Sequence, residues 1–211
     1  DMDSTLIGQN RSPDAALVGN LGSSFELLLH LMKEESLQLD FIAWRDALRV
    51  REAEIEAQFE AQLSSDEVPI DPLRLCREIR SCVDANTILI GDGGDIVAQA
   101  SKVLPVMSEG AWMDPGPLGT LGVGMPFALA AQASNPGKRV VIIYGDGSFG
   151  LNGFEYDTAV RFNLPIIGIV GNDAAWGQMM RPQKAIYGMT DSTLLNPTRY
   201  VKVVEALGGA G

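Results

Sequence analysis

The stretch "RVVIIYGDGSFG", residues 139–150, is an apolar run that ends in a carboxylate between two glycines. A run of β-branched residues stopped by glycine reads as a buried strand, here 139–144, followed by a tight turn. A second stretch, "PIIGIVGND" (165–173), repeats the arrangement and ends in Asn172 and Asp173. The segment between them reads as a helix near 153–162. A right-handed crossover then makes the two strands parallel, so both end at the same edge of the sheet. Open α/β sheets bind ligands at that carboxyl edge. Asp146 and Asp173, 27 residues apart, are therefore expected to meet across it.

The same grammar extends outward. A helix over 73–83 leads to the apolar strand "TILIG" (87–91) and the glycine turn "GDGG". "PGPLGTLGVGMPFALAAQAS" (115–134) opens a small-residue helix near 120–134. Continuous apolar strands alternating with helices predict an α/β fold, a doubly wound parallel sheet with helices on both faces. Residues 1–63 read as a separate unit, with a short strand "AALVGN" (15–20) and helices near 22–33 and 40–62. The charges of the second helix, Arg45 to Glu56, form a solvated face. The polar, proline-bearing "SSDEVPIDP" (64–72) reads as a linker, leaving 73–211 as the larger domain.

Composition excludes several classes. With 46% hydrophobic and 20% charged residues the chain has the make-up of a core-forming globular protein. A formal charge of −11 argues against nucleic acid or an anionic membrane as partner. No stretch reaches the roughly 18 apolar residues of a membrane span, and "DMDSTLIGQN" does not resemble a signal peptide. Cys76 and Cys82, with no second pair to complete a metal site, are expected to be reduced thiols of a cytoplasmic protein. His30, alone in an apolar helical stretch, has nothing nearby to make it catalytic.

Two carboxylates at one sheet edge repel unless a cation lies between them. Oxygen ligands on loops suit Mg²⁺, which keeps part of its shell for substrate phosphates. Gly145 and Gly147 let the backbone approach a ligand, and the helix beyond presents its amides to an anion. The expectation is a Mg²⁺-bridged diphosphate held by Asp146. A plain β-turn, with Asp146 bonding only backbone, is the alternative for "GDG" alone. The "ND" pair one strand–helix–strand unit later shifts the balance toward metal.

The segment 145–178, "GDGSFGLNGFEYDTAVRFNLPIIGIVGNDAAWGQ", resembles the cofactor motif of thiamine-diphosphate enzymes, which begins "GDG" and closes with "NN" or "ND". With "PGPLGTLGVGMPFALAAQ", the chain is similar to the group of acetolactate synthases, acetolactate synthase-like proteins and 2-hydroxyacyl-CoA lyases. "DMDSTLIGQN" is similar to a segment of that family's middle domain. The resemblance implies Mg²⁺ ligation by the side chains of Asp146 and Asp173 and by the Ala175 carbonyl. The family more often has Asn at position 173, and Asp there makes the site more negative. Gly145, Gly147 and Ser148 would meet the diphosphate, as would Gly94 and Asp95 of the "GDGG" turn. Leu121 would wedge between the two cofactor rings and force a bent conformation, and Gly119 would accept a hydrogen bond from the 4′-amino group through its carbonyl. Pattern alone favours a core leucine at a helix start for Leu121, and only the resemblance gives it the cofactor role. Trp176, Gly177 and Gln178 fall beside the cofactor and substrate, with simple packing the alternative for Trp176 and Gln178.

By the same resemblance, a glutamate from a pyrimidine-binding domain activates the cofactor, and no segment here matches that domain. The final strands and active-site cover are also missing, so the expectation is a piece of a longer enzyme that makes or breaks a C–C bond beside a carbonyl. 2-Oxo acids, 2-hydroxyacyl-CoA and aldehydes all fit as substrates. FAD, carried by acetolactate synthases in the middle domain, stays undecided. A homodimer or homotetramer with its site between chains is implied. Two other readings remain: a non-catalytic cofactor-binding subunit that needs a partner chain, and an unrelated nucleotide-binding protein.

Overall fold

The computed structural model describes residues 2–211. The chain divides into two compact units, Asp1–Glu56 and Ala57–Gly211. In the first, Asn20 caps helix α1 (Leu21–Glu34) by accepting the Ser23 amide, and α2 (Ile42–Leu63) begins there and ends past the division at Glu56. No described residue of that unit is buried. Residues 15–20, expected as a strand, form none. Apolar residues become a strand only when a ladder accepts them, and Asn20 is committed to the helix cap instead. His30 is exposed on α1, with Nε2 3.2 Å from Glu34.

In the second unit, Asp71 caps α3 (Pro72–Cys82), which has proline in its first turn where no amide is lost. Arg74 reaches back into the 64–72 stretch, bonding the Ser65 carbonyl at 3.0 Å and Asp66 at 2.8 Å. Next come β1 (Thr87–Asp92), α4 (Asp95–Val103) and β2 (Trp112–Met113), a two-residue strand too short to show a pattern. Helix α5 (Gly124–Ser134) leads to β3 (Arg139–Gly145). After β3 the helix begins at once: α6 (Asp146–Asn152) starts on the aspartate itself, then α7 (Tyr156–Arg161). The expected start near 153 is thus seven residues late. Gly147 and Gly150 weaken intrinsic helix propensity, but Asp146 offsets this from the first turn, where a negative charge favours the helix. Strand β4 (Ile166–Gly171), α8 (Gly177–Tyr187) and α9 (Tyr200–Ala206) complete the unit.

The sheet is parallel, in the order β2-β1-β3-β4. From β1 the chain moves outward to β2, and from β3 it moves the other way to β4, so the direction reverses between β1 and β3. Alternation along the strands feeds two cores. Ile88, Ile90, Val140, Ile142 and Tyr144 pack with α5 and with Phe149 and Tyr156. Leu89, Val141 and Ile143 pack with α3 and α4 on the opposite face. Helices therefore cover both faces, as a doubly wound sheet requires. Strand β4 is outermost, and a cavity of about 1140 Å³ runs along its edge.

Ile142 is fully buried, whereas Val68 is 95% exposed. Ile142→Ala is expected to cost about 3 kcal/mol, read as a lower urea midpoint at unchanged slope. Val68→Ala should leave the midpoint within about 0.5 kcal/mol.

Candidate functional site

Where β1 and β3 part, their turns lie one against the other. A Cβ on Gly93 (φ +151°) would sit 2.7 Å from the Gly145 amide nitrogen, so glycine alone permits this approach. The third turn, after β4, is tied down by the segment that follows α8. Asn172 donates to the Thr198 carbonyl at 3.0 Å. Trp176 donates its amide to Thr193, and Leu195 donates to Ala174. These bonds hold Ala174 in the left-handed region at φ +54°, a conformation that costs a non-glycine residue energy and that persists only where its surroundings enforce it.

Asp146 is 2% exposed. Its Oδ1 accepts the Gly147 amide at 2.8 Å, whereas Oδ2 and the Ser148 hydroxyl are buried with no protein hydrogen-bond partner. Burial pushes the Asp146 carboxyl above the ordinary carboxylate range, against the pull of the Gly147 amide. The Asp173 charge pushes it further up, and the Ala174 and Ala175 amides oppose it. The two carboxylates therefore feel one another. Asp173 Oδ1 also accepts the Ala175 amide at 3.3 Å.

The "GDGG" turn joins them. A Cβ on Gly177 would run into Asp95 Oδ2 and lie 3.0 Å from Asp173 Oδ2, so both carboxylates abut this glycine. A Cβ on Gly94 would strike Gln178, and one on Gly147 would strike the Trp176 ring. Gly94, Asp95, Gly145 to Ser148 and Asp173 to Gln178 thus converge on one sheet edge. Gly119 belongs to the loop before α5. It is exposed at φ +64°, and nothing lies within 4 Å of its Cβ position. Half-buried Leu121 lies on the same loop, which packs through Gly122 on Leu151 and Asn152 of α6.

Some participants are not apparent from the sequence. A cavity of about 290 Å³ is lined by Asp146, Gly147, Trp176, Asn196, Thr198 and Tyr200. Burial raises the Tyr200 phenol, and the Asp146 charge adds to the shift. Arg181, one turn beyond Gly177 on α8, pairs with Asp95. Its spacing from the "ND" motif was a usable signal; Tyr200 carries none, because a long excursion brings it back. The larger cavity along β4 has neither carboxylate in its lining, although it shares Thr198 and Tyr200 with the smaller one. A buried carboxylate oxygen and a buried hydroxyl without partners, beside a second carboxylate and a glycine-lined backbone, form a donor set that fits a hard cation bridging to a diphosphate.

An open parallel sheet with its ligand groups at the point where strand order reverses defines a class of cofactor-binding domain. The chain belongs to the thiamine pyrophosphate enzymes, matching the family's C-terminal TPP binding domain over residues 92–211. It is 36% identical over 173 residues to a probable acetolactate synthase of Mycobacterium bovis, covering 82% of this chain and 32% of that protein. It is 36% identical over 205 residues to 2-hydroxyacyl-CoA lyase 2 of Xenopus laevis, covering 94% of this chain and 32% of the relative. Against 2-hydroxyacyl-CoA lyase 2 of Caenorhabditis elegans the identity is 40% over 172 residues, covering 80% and 27%. The chain thus spans about a third of the length of the relatives it matches.

The raised Asp146 carboxyl sets a pH dependence. The folded protein holds this proton more tightly than the unfolded chain, whose value is near 3.8. The resulting stability is complete below that value and is lost as the pH rises through the higher folded one. In metal-free buffer Asp146→Asn, which keeps the shape and removes the charge, should therefore be more stable than the native sequence at neutral pH. The advantage should vanish near about pH 3. Equal urea midpoints at neutral pH would show that the Asp146 charge is not destabilising there.

Proposed function

We propose that this chain is the diphosphate-binding part of a thiamine diphosphate- and Mg²⁺-dependent enzyme that makes or breaks a C–C bond beside a carbonyl. The observation that carries the proposal is the buried Asp146, with Oδ2 lacking a protein partner and the Asp173 charge beside it. Asp146, Asp173 and the Ala175 carbonyl would hold Mg²⁺. Gly147 and Ser148 would bind diphosphate oxygens, with Gly94 and Asp95 at its other side. Leu121 would stand under the cofactor rings and Gly119 would offer its carbonyl to the 4′-amino group, while Trp176 and Gly177 would line the cofactor's surroundings. When bound, thiamine diphosphate supplies a carbon nucleophile. This chain's residues orient it, neutralise its diphosphate through the cation, and keep the anchored end out of water.

For the whole protein, the names of the relatives favour acetolactate synthase-like or 2-hydroxyacyl-CoA lyase-like chemistry on 2-oxo acids, 2-hydroxyacyl-CoA or aldehydes. A pyrimidine-binding domain, in the same polypeptide or on another chain, would supply the activating glutamate. Leu118, Leu151 and Phe154, exposed by 85%, 54% and 74% beside the loop and α6, support a covering by further protein. The first unit, with no buried described residue, is read as the end of a preceding domain.

Calorimetric titration of thiamine diphosphate into the full-length protein, with and without Mg²⁺, tests the reading. Binding should require the metal, and Asp146→Ala should weaken it at least about 100-fold, some 2.7 kcal/mol. Metal-independent binding of equal strength in the native and substituted proteins would refute the proposed role of Asp146.

A further inference from the structure

Asp92, the last residue of β1, is completely buried. A carboxylate in that position is costly unless its oxygens are hydrogen-bonded. Both are, and by one loop: Oδ1 accepts the Gly122 amide at 3.0 Å and Oδ2 accepts the Gly124 amide at 2.7 Å. A third tie comes from the other side, where the Asn152 side-chain amide at the end of α6 donates to the Gly122 carbonyl. Gly122 is thus gripped at both its N–H and its C=O, and Leu121 is the residue immediately before it.

The clamp dictates the local sequence. Gly122 adopts φ +85°, and a Cβ there would sit 2.9 Å from the Asn152 amide nitrogen and 3.0 Å from Leu151 Cβ. A Cβ on Gly124 would lie 2.9 Å from Asp92 Oδ2 and 2.6 Å from the Tyr144 ring. The other end of the loop is open: nothing approaches the Cβ positions of Gly116 or Gly119 within 4 Å. Leu121 is therefore positioned chiefly from its C-terminal side, by Asp92 and Asn152.

We propose that Asp92 and Asn152 are positioning residues that hold Leu121 against the ring portion of thiamine diphosphate and take no part in holding its diphosphate. The inference rests on the reading of Leu121 and Asp146 given above. It separates the site into two independently supported halves. One, at the ends of β3 and β4 with the Gly94–Asp95 turn beside them, grips the charged end of the cofactor. The other, hung from the end of β1 and the end of α6, meets the rings.

Two probes distinguish the halves in the full-length protein with Mg²⁺ present: thiamine diphosphate and inorganic pyrophosphate. Asp92→Asn and Asn152→Ala should each weaken thiamine diphosphate binding about tenfold and leave pyrophosphate within about twofold. Leu121→Ala should give the same split. Because the clamp acts through Leu121, Asn152→Ala combined with Leu121→Ala should bind no more weakly than Leu121→Ala alone. Parallel weakening of both probes would assign the clamp a purely structural role and overturn the inference, as would additive losses in the double substitution. Native affinity in Asn152→Ala for both probes would remove the clamp while leaving the functional reading intact. A native protein that binds neither probe would remove both. Should Asp92→Asn fail to fold, Asn152→Ala, at a half-exposed residue, carries the test.

Discussion

Asp146 is buried within reach of the Asp173 charge, and much of the site's construction answers that one electrostatic problem. Water is not available to spread the charge, and an isolated buried carboxylate is among the least tolerable groups in a protein interior. Backbone amides from Gly147, Ala174 and Ala175 relieve part of it. The left-handed Ala174, the Trp176 amide's bond to the Thr193 carbonyl and the Leu195 amide's bond to the Ala174 carbonyl hold two of those amides in place. What remains uncompensated, one buried oxygen and a neighbouring hydroxyl, is where the donor set calls for a cation.

The topology explains why such a concentration of charge is found at this edge. Reversal of strand order between β1 and β3 leaves the loops after those strands without a helix crossing above them, so their backbones face one another directly. Glycine at 93, 145 and 147 makes the loops thin, and Gly177 admits Asp95 and Asp173 to the same spot. Arg181 pairs with Asp95 from α8. In a chain with a formal charge of −11, attraction for an anionic ligand therefore has to come from the cation and from amides, since the general field is unfavourable.

The parallel sheet was legible because fully buried strands are written as continuous apolar runs, and the shared direction of β3 and β4 followed from the crossover between them. The meeting of Asp146 with Asp173 was legible for the same reason: it depends only on where two strands end. The start of α6 was hidden by Gly147 and Gly150, whose weak propensity is overridden by the first-turn carboxylate and by tertiary packing. The false strand at 15–20 shows the reverse error, apolar residues with no ladder to join. Tyr200 and Asn196 were invisible because the chain returns to the cavity after an irregular excursion of many residues. Asp92 stood in plain view within "IGDGGD", yet only the folded structure reveals that both its oxygens are spent on a loop thirty residues away.

The strict alternation of the strands has an evolutionary consequence. Ile142 and Ile143 are adjacent in sequence but belong to separate cores, one beneath α5 and the other beneath α3 and α4. Substitutions at the two positions share few packing neighbours and should combine almost independently. Ile142 and Met125, distant in sequence, share a core and constrain each other's volume. Epistasis in this domain should therefore follow the parity of the strand position, with each face free to drift in composition while the other is held fixed.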